Sequence, residues 1–296
     1  MRAFAFVSAI SLAFAASVRT ESVQAAPRRV ASLNLCTDEL LLLLGDPGQI
    51  VSVTHLARQP AETRLWREAR RYRSNDGSLE SVAGLRPDLV LTMGGGARDR
   101  ERIARRLGIR VLDLPFPQSL GDIEQSVRSV SAALGRPAAG QAALAQVERL
   151  KRGRPARAVD SIWLGGGGRT VAAGSLAAQW MALAGLRQRA TAGDRVSLEQ
   201  LLLHPPAVIL RSDYRQGQYS GEQRWLSHPL ARRVRGARTI ATDGRAWTCM
   251  GPLVAGEIER LKGLNRQPGE SRDLGSRSLS GSPRGPGFRR GDGVSP

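Results

Sequence analysis

Two cysteines and three histidines carry most of the reactive side-chain chemistry of this 296-residue chain, and their placement limits what they can do. Cys36 and Cys249 lie far apart and neither neighbours a histidine in sequence, so no Cys-His nucleophile is visible. His204 precedes Pro205-Pro206 at a helix end and His228 precedes Pro229, which assigns both to structural roles. His55 alone falls where a loop leaves a strand, and one histidine does not assemble a bare zinc or manganese site. No Gly-x-Ser-x-Gly elbow and no carboxylate pair is visible, so an exported α/β hydrolase has no positive support. Gly94 to Gly96 and Gly165 to Gly168 lack both the Gly-Lys-Ser/Thr ending and the Gly-x-Gly-x-x-Gly spacing of phosphate loops. They read as tight strand-to-helix turns. The expectation is a protein with no catalytic residue, no metal site and no cofactor of its own.

The elements that must position any site follow from an internal repeat. Ser78 to Leu91 aligns without gaps with Ser197 to Leu210. In each copy a serine caps a short helix, a proline ends it, and a buried strand follows. Ile103 to Leu107 is a helix stopped by Gly108 before a strand at 110–114, and Leu230 to Val234 precedes a strand at 238–241 similarly. Each half opens with its own strand and helix: Val30 to Leu33 then Asp38 to Leu44, and Ser161 to Leu164 then Ala177 to Ala184. Alternating strand and helix implies parallel sheets. Between the halves, Ser119-Leu120-Gly121-Asp122 has the form of a capping box, and Ile123, Val127, Val130 and Leu134 then share one helical face. Gly135 and Pro137 stop that helix, and a second pattern at 142–151 turns Leu144, Val147 and Leu150 inward. The fold class is α/β: two Rossmann-like lobes with parallel sheets, an N-terminal lobe at 27–120 and a C-terminal lobe at 155–264, joined by a helical connector at 121–154.

The two ends read differently. Residues 1–26 form a signal peptide, with Arg2, an apolar run from Ala3 to Ala16 and small residues around Val23-Gln24-Ala25, so export and a soluble mature protein are expected. Cys36 lies too far beyond that point to be a lipid anchor. Residues 265–296 are rich in Gly, Ser, Pro and Arg, have no apolar periodicity, and are expected to be disordered and dispensable. The charge of +18 could mark a basic secreted nucleic-acid-binding protein, but aromatic residues are only 4% and the arginines are scattered rather than striped, so no nucleic-acid partner is expected.

Several stretches resemble the periplasmic substrate-binding proteins of ABC importers that take up cobalamin and iron-siderophore complexes. They are Gly77-Ser78-Leu79-Glu80 through Leu85-Arg86-Pro87-Asp88-Leu89-Val90-Leu91, Leu107-Gly108-Ile109-Arg110-Val111, Asn34-Leu35-Cys36-Thr37-Asp38-Glu39-Leu40, and Trp247-Thr248-Cys249-Met250-Gly251-Pro252. The resemblance spans about residues 28–263 and implies two lobes joined by one long connecting helix. It also implies a periplasmic, monomeric receptor that delivers a metal chelate to an inner-membrane ABC permease. Family members present one exposed glutamate per lobe to the permease; Asp99 or Glu101, and Glu222, are the matching docking candidates. Cobalamin binders of this kind offer an aromatic after the strand ending at Thr92, whereas Met93 stands here, which argues against a cobalamin-specific pocket.

In open α/β sheets ligands bind beyond the carboxyl ends of the strands. That rule selects Asn34, Cys36, His55, Met93 and the first glycine run from one half, and the second glycine run, Arg211, Asp213, Tyr214, Trp247 and Cys249 from the other. Trp247 and Tyr214 are the expected walls, being bulky amphipathic residues in a chain poor in aromatics. Cys36 and Cys249 fall in opposite halves. Export favours a disulfide, but a bridge needs Cα atoms within ~7 Å and would staple the lobes across the ligand's path. Two free thiols near the cleft are the preferred reading, with a bridge or thiolate ligation of the chelate as alternatives.

Overall fold

The computed structural model describes residues 25–95, 97–213, 228–229 and 234–265. Residues 1–24 of the expected signal peptide, the expected tail beyond residue 265, Tyr214, Glu222 and residues 230–233 of the expected helix lie outside the described residues.

The N-terminal lobe is built on five parallel strands, β1 (Val30–Ser32), β2 (Ile50–Thr54), β3 (Arg73–Asn75), β4 (Leu89–Met93) and β5 (Arg110–Leu114), in the order β3-β2-β1-β4-β5. The C-terminal lobe has four described parallel strands, β6 (Val159–Leu164), β7 (Leu186–Gln188), β8 (Val208–Asp213) and β9 (Arg238–Asp243), in the order β7-β6-β8-β9. The strands read from the repeat, β4 and β8, sit in equivalent central places beside β1 and β6. Their apolar runs are buried from both faces, as central parallel strands require.

Helices α1 (Leu35–Leu44), α2 (Trp66–Ala69), α3 (Glu80–Ala83) and α4 (Ala97–Arg106) belong to the first lobe. Helix α1 packs on one face of the sheet, where Leu40, Leu41 and Leu44 meet Val30, Val53 and Leu91. Helices α3 and α4 cover the other face, with Val82 and Ala104 against Ala31 and Val90. Then come α5 (Leu120–Ala133) and α6 (Pro137–Arg152). Ser119 caps α5 in the expected box: its hydroxyl accepts from the Asp122 amide while the Asp122 carboxylate accepts from the Ser119 amide. Pro137 does not only stop the preceding helix; it opens α6 at a first-turn position, where its missing N–H costs nothing. The connector belongs to both cores. Ile123, Val147 and Leu150 pack with the second lobe, while Val127, Val130, Leu134 and Leu144 pack with the first.

The second lobe adds α7 (Leu176–Leu183), α8 (Leu198–Leu203), a short α9 (Ala246–Cys249) and α10 (Val254–Asn265). Ser197 caps α8 as read from the repeat. In the first copy the helix starts at Glu80, and the Ser78 hydroxyl accepts from the Ser81 amide at 3.2 Å, as Ser197 does from Gln200, while donating to Asp76. The largest core cluster lies here, around Trp180, Met181, Leu186, Leu210, Trp247 and Ile258.

Candidate functional site

The carboxyl ends of the two sheets are brought together by three sets of bonds. The first is covalent: Cys36, in the first turn of α1, is disulfide-bonded to Cys249, the last residue of α9, with Cα atoms 5.1 Å apart. The expectation of free thiols is thus overturned. It assumed an open space between the halves, but the α1 start and the α9 turn pack directly on each other, and Cys249 is buried in the first lobe's core cluster. The turn is held in place from its own lobe. Met250 adopts a left-handed φ of 51°, and its carbonyl accepts a 2.9 Å hydrogen bond from the indole of fully buried Trp180.

The second set is ionic. Arg64, from the loop after β2, reaches across to Asp243 at 2.9 Å and to Glu257 at 3.0 Å. Glu257 is almost wholly buried and also receives the Thr242 hydroxyl and the Arg260 guanidinium. Burial alone would raise the Asp243 carboxyl, but hydrogen bonds from Arg245 and Arg64 overcome it and hold it down at about 2. Arg245 in turn donates to the Pro60 carbonyl of the first lobe at 3.1 Å. The third set ties the connector down, with Gln179 of α7 accepting from the Leu120 amide and donating to the Gln118 carbonyl, each at 3.1 Å.

Between these ties lies an apolar crevice lined by Cys36, Glu39, Met93, Ile123, Cys249 and Pro252 among others. Its volume is about 10 Å³, room for a single water and not for a chelate. Glu39 on its wall and the preceding residue in sequence, Asp38, are two buried carboxylates that the sequence patterns did not reveal. Asp38 accepts from the Thr54 amide and hydroxyl, Glu39 accepts from the Thr63 hydroxyl at 2.6 Å, and burial pushes both carboxyls up to about 7.

The remaining candidates divide. Asn34 is spent as the cap of α1, its side-chain oxygen accepting from the Cys36 amide at 2.8 Å. Trp247 is a correction: it is only 3% exposed, sits in the core of the second lobe, and donates to the Thr242 hydroxyl at 2.8 Å. It lines no open cleft because α9 turns its indole inward under α10. His55 is exposed at the end of β2, Met93 is half-buried at the end of β4, and Arg211 is half-buried on β8. Asp99 and Glu101 are exposed on α4 and paired to Arg102 and Arg105 along the same helix. Gly94 and Gly95 both take positive φ, and the second glycine run forms a short turn whose Gly167 carbonyl accepts from Arg195. Two aromatics were missed. Phe116, just beyond β5, is 58% exposed and lies over Gly94, where an added Cβ would meet its ring at 2.6 Å. Trp163 is half-buried on β6 with its ring against Gly165. The signal that could have found them is their place at the carboxyl ends of strands in a chain with few aromatics. Among the described residues no group of three or more His, Cys, Asp or Glu is placed to hold a metal ion. No helix among them is long and apolar enough to cross a membrane.

Two parallel-sheet α/β lobes joined by a helical connector define the fold class. A profile for the family described as periplasmic binding protein matches residues 30–239, and the chain belongs to that family. No curated protein matches the chain. Among solved structures, the periplasmic heme-binding protein RhuT from Roseiflexus sp. RS-1 is similar at 23% identity and a TM-score of 0.61, covering 79% of this chain and 96% of that one. A periplasmic heme-binding protein from Pseudomonas aeruginosa gives 20% identity, a TM-score of 0.58, and coverage of 80% and 92%. The periplasmic vitamin B12 binding protein BtuF of Vibrio cholerae gives 19%, 0.56, and coverage of 80% and 96%. At these identities the likeness is one of fold.

Proposed function

We propose that this chain is a periplasmic receptor that binds a metal chelate, an iron-siderophore, cobalamin or the related heme, at the interlobe cleft and hands it to an ABC permease without altering it. The observation that carries the reading is Phe116, which lies exposed over the Gly94 backbone at the carboxyl end of the first sheet. A large exposed aromatic backed by glycine is a flat apolar platform, and flat apolar faces are what macrocycles and catecholate-type chelates offer. Met93 ends the adjacent strand β4, His55 follows β2 in the same sheet, and Arg211 lies on β8 of the other lobe; these are further contacts of the reading. Because the crevice beneath is too small, the ligand rests on the rim above the disulfide rather than within it. Tyr214, next in sequence after β8, is a further contact. Asp99 or Glu101, and Glu222, would meet the permease; the receptor would act as a monomer, after export directed by residues 1–26.

Absorbance titration of the purified mature protein with hemin, cyanocobalamin and ferric siderophores tests the reading. One chelate should saturate at one equivalent per chain and be recovered chemically unchanged. Turnover of the chelate, or no saturable binding of any of the three, would overturn it.

A further inference from the structure

The flank of the first lobe beside edge strand β3 carries a basic surface centred on an aromatic ring, which the cleft does not use. Residues 64–73 read Arg-Leu-Trp-Arg-Glu-Ala-Arg-Arg-Tyr-Arg, five arginines against one acid. Arg64 turns to the second lobe, whereas Arg67, Arg70, Arg71 and Arg73 are exposed. Trp66 is half-buried among them, with the guanidinium carbons of Arg67 and Arg70 at 4.4 and 4.8 Å from its ring centroid. The nearby carboxylates do little to offset this charge. Glu68 stands 3.7 Å from Arg71 with both side chains well exposed, and Asp46 is paired with Arg136. Among the described residues no acid lies within ion-pair distance of Arg67, Arg70 or Arg73. The surface is fixed to the fold, since Ala69 is fully buried beneath it and Tyr72 packs on the first lobe's core.

We propose that this flank seats the protein on an anionic lipid surface, with the four arginines on headgroup phosphates and Trp66 at headgroup depth. Guanidinium is weakly hydrated and meets phosphate oxygens in a bidentate fork. An indole framed by arginine stems has the apolar body and polar rim that settle at a lipid–water boundary. Each arginine brought to an anionic leaflet adds a similar increment, so a cluster binds where single charges do not. Single-stranded nucleic acid would need a bare ring face on which to stack a base, but the Trp66 ring already carries two cations. A protein partner would need a broader apolar centre than one half-buried ring. The flank lies beside β3, the edge strand of the first sheet, opposite the β5 edge that Phe116 follows.

The test is flotation of the mature, disulfide-bonded chain with vesicles of phosphatidylcholine alone or with about one-third phosphatidylglycerol. The chain should float with the anionic vesicles only and be released by high salt. Arg67→Gln with Arg70→Gln should weaken this roughly tenfold to thirtyfold, while Arg152→Gln with Arg154→Gln, an equal charge loss at exposed residues elsewhere, should weaken it far less. Brominated lipid should quench the tryptophan emission of the native chain, and Trp66→Phe should remove that quenching. Equal losses from both arginine pairs would reduce the effect to bulk charge and overturn the proposal. So would absence of lipid quenching in the native chain, or equal affinity for an oligonucleotide or an acidic polypeptide of matched charge.

Discussion

The sulfur atoms of Cys36 and Cys249 are bonded although 213 residues separate them in sequence and each belongs to a different lobe. Thiol titration of the unfolded, unreduced protein should find no reactive thiol. Two would mean that the lobes are not joined. A closed loop of this length constrains the unfolded chain strongly, so Cys249→Ser should lower stability by roughly 3 to 5 kcal/mol in urea denaturation.

With the disulfide and the Arg64 clasp both in place, the lobes have little freedom to close around a ligand. Small-angle scattering should give the same radius of gyration with and without bound hemin. A marked change should emerge only when Cys36→Ser is combined with Arg64→Ala. A large ligand-induced compaction of the unaltered chain would show that the ties do not hold.

Phe116 and Trp247 should behave oppositely. Phe116→Ala removes an exposed ring, and should weaken chelate binding by about 1 to 2 kcal/mol with an unchanged melting temperature. Trp247→Ala removes a buried one, and should cost about 3 to 5 kcal/mol of stability. Gly94→Ala should weaken binding as Phe116→Ala does, because its methyl displaces the Phe116 ring, but should also lower the melting temperature, because Gly94 holds a φ of +109° that alanine adopts only under strain. Loss of binding in a stable Trp247→Ala protein would return that residue to the site.

Stability should depend on pH in a set direction. Burial raises Asp38 and Glu39 to about 7, against ordinary values of 3.8 and 4.5. Between those limits the unfolded chain releases protons that the folded chain keeps, so stability falls as pH rises from about 4 to about 7 and is level above that. Asp243, held at about 2, contributes stability that is present above about 4 and lost as the pH falls further. Melting temperature should therefore peak near pH 4 to 5, and Glu39→Gln should reduce the decline toward pH 8. A melting temperature that rises from pH 5 to pH 8 would refute this account.

Local interactions made much of the fold legible in the sequence. The repeat located β4 and β8, Ser119 and Ser197 announced their helices through side-chain caps, and the spacing of Ile123, Val127, Val130 and Leu134 marked the buried face of α5. Each of these signals arises from residues within a turn or two of one another, so the sequence alone determined them. The three-residue edge strands β3 and β7 were not legible, because so short a run has no period to read. Only the tertiary structure decided the site. The reach of Arg64 to Asp243 and Glu257 spans 179 and 193 residues, and no local pattern encodes such a partner. Trp247 turned inward and Phe116 outward because the first has α10 packed over it while the second has only the Gly94 backbone beneath it. Whether an aromatic becomes core or platform depends on what folds against it, and that is settled by packing between elements far apart in the chain.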